Sequence, residues 1–116
     1  METNKFELIG KVNYVDVKVL DSGTYLTKIL LGIFLGKDKE GNKNYESVNV
    51  TFWSELAEQF AETVVKGDYI KVTGRINVNS YKNKEGKEVK DVQFIGNEFV
   101  KVEYDKGSKE FVAAPW

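Results

Sequence analysis

The sequence predicts an all-β fold, a small five-stranded barrel with one α-helix between strands three and four. Three observations carry this expectation. Segments rich in Val, Ile, Phe and Tyr alternate apolar with polar residues and are separated by Gly- and Asn-containing turns. One stretch, directly after Trp53, switches to a helical period, with Leu56, Phe60 and Val64 recurring every fourth residue. The chain has 116 residues, 41% of them hydrophobic, which is one domain with one core. Five strands in so short a chain would leave exposed edges in an open sheet, whereas closure removes them and the helix can plug an open end. A small open sheet with one helix packed on it is the alternative.

The first strand runs from Lys5 to about Val19, with Gly10 as its bend. Leu20 to Thr24 (LDSGT) is a turn, and Leu26 to Leu35 is the second strand. Lys37 to Asn44 (KDKEGNKN) is a charged loop with a Gly-Asn turn signal. The third strand is Tyr45 to Trp53. Ser54 is read as the helix N-cap, its hydroxyl accepting from a free amide of the first turn, with Glu55 and Glu58 at the positive end of the dipole. The helix is expected to reach Lys66 and to stop at Gly67. The fourth strand follows, with Ile70, Val72, Ile76 and Val78 on its core face and Gly74 at a bend. Lys82 to Glu88 (KNKEGKE) is a hairpin loop, and Val89 to Val102 is the fifth strand, interrupted near Gly96. Residues 1–104 are read as the barrel domain and 105–116 as a short tail, mobile over its polar stretch from Asp105 to Glu110. Strand–strand–strand–helix–strand–strand is the OB-fold plan.

Composition narrows the chemistry. There is no cysteine, which excludes thiolate catalysis and disulfides, and no histidine, the commonest general base and metal ligand. Asp16, Asp21, Asp38 and Asp91 could support only a carboxylate enzyme, and they share no metal-binding spacing. No catalysis, cofactor or metal is therefore expected. No apolar run is long enough for a membrane helix, since the longest, Ile29 to Leu35, is interrupted by Gly32. The opening METNKFELIG has no basic region followed by an apolar stretch, so no secretory signal is expected and the cytoplasm is the expected location. The net charge is −1, but the charge is uneven. From Glu46 to Asp68 five acids face one lysine; from Tyr69 to Lys90 six cations face two acids. A polyanion responds to a local face, because salt screens charges beyond ~8 Å.

The alternation also sorts the outer faces. With Val48, Val50 and Phe52 inside, Tyr45 and Trp53 point out. With Ile29, Leu31 and Ile33 inside, Lys28 and Phe34 point out. On the fourth strand Arg75, Asn77, Asn79 and Tyr81 point out, and the hairpin adds Lys82, Lys84 and Lys87. Aromatics interleaved with cations and amides suit single-stranded nucleic acid, because exposed bases stack and phosphates need cations. The same aromatics would equally suit a subunit or partner contact.

The stretch NVTFWSELAEQFAETVVKGDYIKVTGRINVNSYKNKEGKEVKD (Asn49 to Asp91) resembles the core of bacterial and phage single-stranded DNA-binding proteins. Trp53 closes strand three, Leu56-Ala57-Glu58 opens the helix, and Lys66-Gly67 ends it. Val72-Thr73-Gly74, Tyr81 and Gly86 follow in the family order, and NKFELIGKV (Asn4 to Val12) is similar to the family's first strand. The resemblance implies base stacking by Trp53 and Tyr81, with Phe34 at a further stacking position. A family aromatic at the start of strand three falls on Ser47 and is absent unless Tyr45 stands in for it. The outward Lys28, Arg75, Asn77 and Asn79, with Lys82, Lys84 and Lys87 of the hairpin, are the expected phosphate or polar contacts, and the resemblance further implies a homo-oligomer, dimer or tetramer. Roles in replication, recombination and repair follow from the same likeness. Pro115-Trp116 resembles the family's Pro-aromatic terminus, which recruits replication and repair proteins, but the acidic cluster before it is missing; a frayed tail, or one packed on its own barrel to bury Phe111 and Trp116, is the plainer reading. So short a chain resembles phage or plasmid members. A protein-interaction or RNA-binding module on the same fold is the alternative function.

Overall fold

The computed structural model describes residues 3–114. Its elements in order are β1 (Phe6–Val19), β2 (Tyr25–Lys37), β3 (Lys43–Trp53), α1 (Ser54–Thr63), β4 (Tyr69–Lys82), β5 (Glu88–Asp105) and β6 (Glu110–Ala113). The sheet order is β3-β2-β1-β4-β5-β6, and a parallel pairing of β3 with β5 (Val50 with Phe94, Thr51 with Ile95) closes it. Five strands thus form a closed barrel with the helix between β3 and β4, the OB-fold architecture expected from the sequence. β1 serves two neighbours. Its first half pairs with β4, from Phe6–Gly74 to Lys11–Tyr69, and its second half pairs with β2. A bulge at Asn13, the residue without a partner between Val12 and Tyr14, re-aims the strand at the handover.

The core follows the predicted inward faces for most of its length. Val12, Ile29, Leu31, Val50, Phe52, Ile70 and Val72 are buried, and α1 adds Ala57 and Phe60. Phe60 stacks on Phe52 with centroids 4.7 Å apart, and Phe99 meets both rings edge-on at 4.9 and 5.7 Å. Two glycines make room where β4 and β5 cross the barrel. A Cβ at Gly96 would run into the Phe52 ring, and one at Gly74 into the Ile95 carbonyl and the Phe6 ring.

Thr27 is the buried polar side chain among the described residues, and its hydroxyl donates to the Ala57 carbonyl at 2.9 Å, tying β2 to the helix. Thr27→Val keeps the shape and removes the bond. It is expected to cost about 1 kcal/mol, read as a lower urea midpoint at unchanged m-value.

Three expectations are corrected. Ser54 is not a side-chain cap. Its backbone is left-handed (φ 60°), so the chain turns there, and the N-cap position falls on Trp53 with no side-chain cap hydrogen bond. An indole carries a donor and no acceptor, so Trp53 cannot serve the free amides. The helix stops at Thr63 rather than Lys66. Val64 is extended, buries its side chain, and donates its amide to the Phe60 carbonyl at 2.9 Å. A turn then carries the chain to Asp68. The Gly67 amide donates to the Val12 carbonyl, the Val12 amide to the Asp68 carbonyl, and Asp68 pairs with Lys101 at 3.4 Å. Ile76 and Val78 do not enter the core and are 36% and 53% exposed. The Ile76–Phe94 pair is the barrel's rim, where Phe94 still pairs with Val50 and packs on Phe6; beyond it β4 and β5 run on as a two-stranded arm that leaves Val78 and Val92 exposed. In the tail, residues 105–113 fold back on β5, the packed arrangement rather than a frayed one. The Lys109 amide donates to the Asp105 carbonyl, and β6 pairs with β5 from Val102–Ala113 to Asp105–Glu110. Pro115 and Trp116 lie outside the described residues.

Candidate nucleic-acid interface

Residues paired directly across a ladder share a face. The outer face of β1, β2 and β3 can therefore be read in rows. Lys18, Leu26 and Trp53 form the first; Asp16, Lys28 and Thr51 the second; Tyr14, Leu30 and Asn49 the third. Lys11, Gly32 and Ser47 form the fourth, and the Phe34–Tyr45 pair lies beyond it. The closing pairing of Thr51 with Ile95, and of Ile95 with Arg75, carries the second row onto the arm. Asp16, Lys28, Thr51, Ile95 and Arg75 thus run across five strands, with Trp53 one row away. Lys28, Asn49 and Thr51 share a shallow pocket with Asp91, Val92 and Gln93 of β5.

The arm continues this face outward. Arg75, Asn77, Asn79 and Tyr81 on β4 lie opposite Ile95, Gln93, Asp91 and Val89 on β5. The amides are linked along each strand, Asn77 to Asn79 at 3.4 Å and Gln93 to Asp91 at 3.2 Å. Tyr81 is exposed but stands six residues from Arg75, about 20 Å of strand, so the two are not neighbours. Lys82 alternates to the other face of the arm, opposite Glu88. Lys84 and Lys87 sit in the hairpin turn, which Asn83 organises by accepting from the amides of Glu85 and Lys87 at 2.9 and 3.0 Å.

The aromatics are presented to solvent. Trp53 is 43% exposed. Phe34 and Tyr45 are exposed and meet edge-on at 5.5 Å, at the end of β2 and β3 away from Trp53. Register therefore puts Phe34 and Tyr45 on one outer face with Trp53, as the alternation predicted. Among the described residues two ion pairs form, Lys18–Asp16 and Lys101–Asp68. Lys28, Arg75, Lys82, Lys84 and Lys87 take part in neither, so their charges are open to an anion. Asp38 and Asp105 are held below the usual carboxylate range, Asp38 chiefly by the Asn42 amide and Asp105 chiefly by the Ser108 hydroxyl. Both carboxylates close turns and stay ionised. Among the described residues no group of three or more metal-ligating side chains gathers, and no helix is long and apolar enough to cross a membrane.

Two features escaped the sequence reading. Tyr14 would point inward if the alternation of Phe6, Leu8, Gly10 and Val12 continued, but the Asn13 bulge turns it out, opposite Leu30. A second aromatic group, Tyr69, Tyr104 and Phe111, forms where β6 folds back. Phe111 lies 5.8 Å from Tyr69 and 5.4 Å from Tyr104. Phe111 is legible in the sequence as a ring worth burying against the barrel, but its partners Tyr69 and Tyr104 are fixed only by the β5–β6 register.

The sequence matches the model of the Single-strand binding protein family over residues 3–103. It is 34% identical over 67 residues to the single-stranded DNA-binding protein of Streptococcus pneumoniae, covering 58% of this chain and 43% of that protein. It is 26% identical over 98 residues to single-stranded DNA-binding protein 1 of Streptococcus pyogenes, covering 83% and 75%. The match to single-stranded DNA-binding protein 1 of Lactococcus lactis is 28% over 79 residues, 68% and 53%. The chain thus spans less than half the length of the pneumococcal relative. A family match over nearly the whole barrel agrees with the strand order, the helix position and the aromatic outer face, and the chain belongs to the single-strand binding protein family.

Proposed function

We propose that this protein binds single-stranded DNA with little sequence preference and coats it during replication, recombination and repair in the cytoplasm. One observation carries the proposal: the part of the outer row from Lys28 through Thr51 and Ile95 to Arg75, flanked by Trp53, with the adjoining Asp16 paired to Lys18. Its relatives are named for the same ligand. Bases stack on Trp53, Tyr81, Phe34 and Tyr45. Lys28, Arg75, Lys84 and Lys87 neutralise phosphates, and Asn77 and Asn79 hydrogen-bond along the strand; Lys82, turned to the other face of the arm, is not part of this set. Stacking uses the π-face that every base has, hence the lack of sequence preference, and a duplex hides those faces. The acidic stretch lies largely in and around α1, so the net charge of −1 does not oppose binding. The protein acts without a chemical step.

The protein works as a homo-oligomer, dimer or tetramer. Ile76, Val78 and Val92, exposed together on the other face of the arm, suit contact with a second copy, which would raise avidity. Recruitment of replication proteins through the C-terminal tail is a further part of the proposal.

The test is a fluorescence titration with oligothymidylate across a salt series, beside a matched duplex and the RNA counterpart. Saturable binding of the single strand is expected, with no comparable binding of the duplex. Counterion release from about three to five phosphates gives a slope of log K against log salt of roughly −2 to −3.5. A flat salt response or equal binding of duplex would overturn the proposal, and tighter binding of RNA would reassign the ligand.

A further inference from the structure

The Phe34–Tyr45 pair forms one wall of a groove of about 670 Å³ that the sequence reading did not anticipate. Its floor is Gly10, Gly32 and Ser47, and its opposite wall is Tyr69, Tyr104 and Phe111. The register explains the shape. Ser47, Gly32, Lys11 and Tyr69 form one row across β3, β2, β1 and β4, roughly 14 Å at the ordinary strand spacing. Gly32 keeps the middle of that row low, because a Cβ there would meet the Asn13 side-chain amide. The far wall depends on β6. Tyr104 pairs with Phe111 across the β5–β6 ladder, and the turn joining them is closed by the Asp105 carboxylate, which accepts from the Gly107 amide at 3.1 Å and the Ser108 hydroxyl at 2.9 Å.

Phe111 touches two rings and still is 38% exposed, with Tyr104 at 52%. Packing alone does not account for rings left this open around a concave surface. The charges are those of a phosphate path. Lys11 and Lys43 line the groove against one acid, Glu46, and neither lysine joins an ion pair among the described residues. The chemistry differs from that of the arm. There the exposed apolar surface is aliphatic (Ile76, Val78, Val92), which suits protein packing; here the walls are aromatic rings, three of them phenols, which suit bases.

We infer that this groove takes a second segment of the same single strand, its bases stacked on Tyr69, Tyr104 and Phe111 and its phosphates held by Lys11 and Lys43. The strand would pass from the Trp53 end of β2 and β3, over the Phe34–Tyr45 pair, and on toward β6. The inference rests on the single-strand reading above and adds a binding segment to it.

A length series of oligothymidylates separates the two. Short oligonucleotides, near the lower limit of about four nucleotides for one OB-fold, should occupy one segment alone. The double variant Tyr104→Ala/Phe111→Ala is expected to bind them within about twofold of the unmodified protein, yet to bind long ones about tenfold more weakly. The nucleotides occluded per protomer should fall as well. Trp53→Ala should weaken binding at every length. Lys43→Ala, which removes no ring, should reduce the salt slope for long strands by about 0.7. Iodouracil-substituted strands should cross-link to the peptide holding Tyr104 and Phe111. Circular dichroism confirms that each variant is folded. If the double variant and Lys43→Ala match the unmodified protein at every length while Trp53→Ala stays weak, the groove inference fails and the single-strand reading stands. If the unmodified protein binds no single strand, the parent reading fails and takes the inference with it. If the double variant changes mass by light scattering with DNA affinity unchanged, the groove is a subunit contact and the inference is overturned.

Discussion

Trp53→Ala is expected to weaken binding of single-stranded DNA by about 5- to 150-fold, the equivalent of ~1–3 kcal/mol of lost base stacking. The variant isolates function from folding unusually well. Trp53 points away from the core formed by its neighbour Phe52, and its extended backbone (φ −120°, ψ 151°) suits alanine. Its side chain contributes no helix cap, so no cap is lost. Leu26, buried directly across the ladder, is the residue most exposed to the change, and a modest fall in thermal midpoint is expected from it. Trp53→Phe keeps a ring and should retain most of the affinity. Because intrinsic fluorescence changes with the substitution, the measurement is anisotropy of a labelled oligonucleotide, with light scattering on the same samples. Unchanged affinity with altered mass would make Trp53 an interface residue and leave the cationic row without its stacking partner.

The path from alternation to barrel was legible where both sides of a strand have partners. Val48, Val50 and Phe52 were read as inward, and Val50 and Phe52 are fully buried. The interruption near Gly96 was legible too, and is a bulge in which Asn97 has no partner on β4. The arm was not. Ile76 and Val78 continue the alternation of Ile70 and Val72 without a break, but alternation records which face is apolar and not whether anything stands opposite it. Where β3 and β5 part, the core ends and the pattern does not. Asn13 failed for the complementary reason. A single extra residue flips every later side chain, and nothing in "KVNYVDV" marks it. Ser54 misled because a serine before a helical pattern ordinarily caps it, whereas here the serine itself makes the left-handed turn. The functional face was read in its parts, since Lys28, Arg75, Phe34, Tyr45 and Trp53 were each assigned outward. Their order on the surface needed the register, which separates Tyr81 from Arg75 and turns Lys82 away. The groove needed β6, whose partner strand is distant in pattern though near in sequence.

The largest loss of stability is expected from Phe60→Ala, at about 3–5 kcal/mol. Phe60 has no exposed surface and joins α1 to the barrel through two rings, stacked on Phe52 and edge-on to Phe99. Truncation removes both aromatic contacts and leaves a void beneath a helix only 10 residues long. So short a helix holds little helicity alone and depends on that packing. Small domains have about 5–15 kcal/mol in total, so the loss is a large share, and the thermal midpoint should fall by on the order of 10–30 °C. Leu56→Ala, at a partly buried position packed against the same core, should cost clearly less. The contrast with Trp53→Ala is the sharper test of the architecture. Phe60 lies under the barrel's end and Trp53 on its outer face, so well below its midpoint the Phe60 variant should bind single strands with unchanged affinity. Saturating DNA should then raise the midpoints of the unmodified protein and the Phe60 variant by mass action, and that of Trp53→Ala less at the same DNA concentration. A Phe60→Ala protein that melts within a few degrees of the unmodified one would mean that the helix does not plug the barrel. A folded Phe60→Ala protein with lost affinity would mean that the helix, and not the outer face alone, shapes the binding surface.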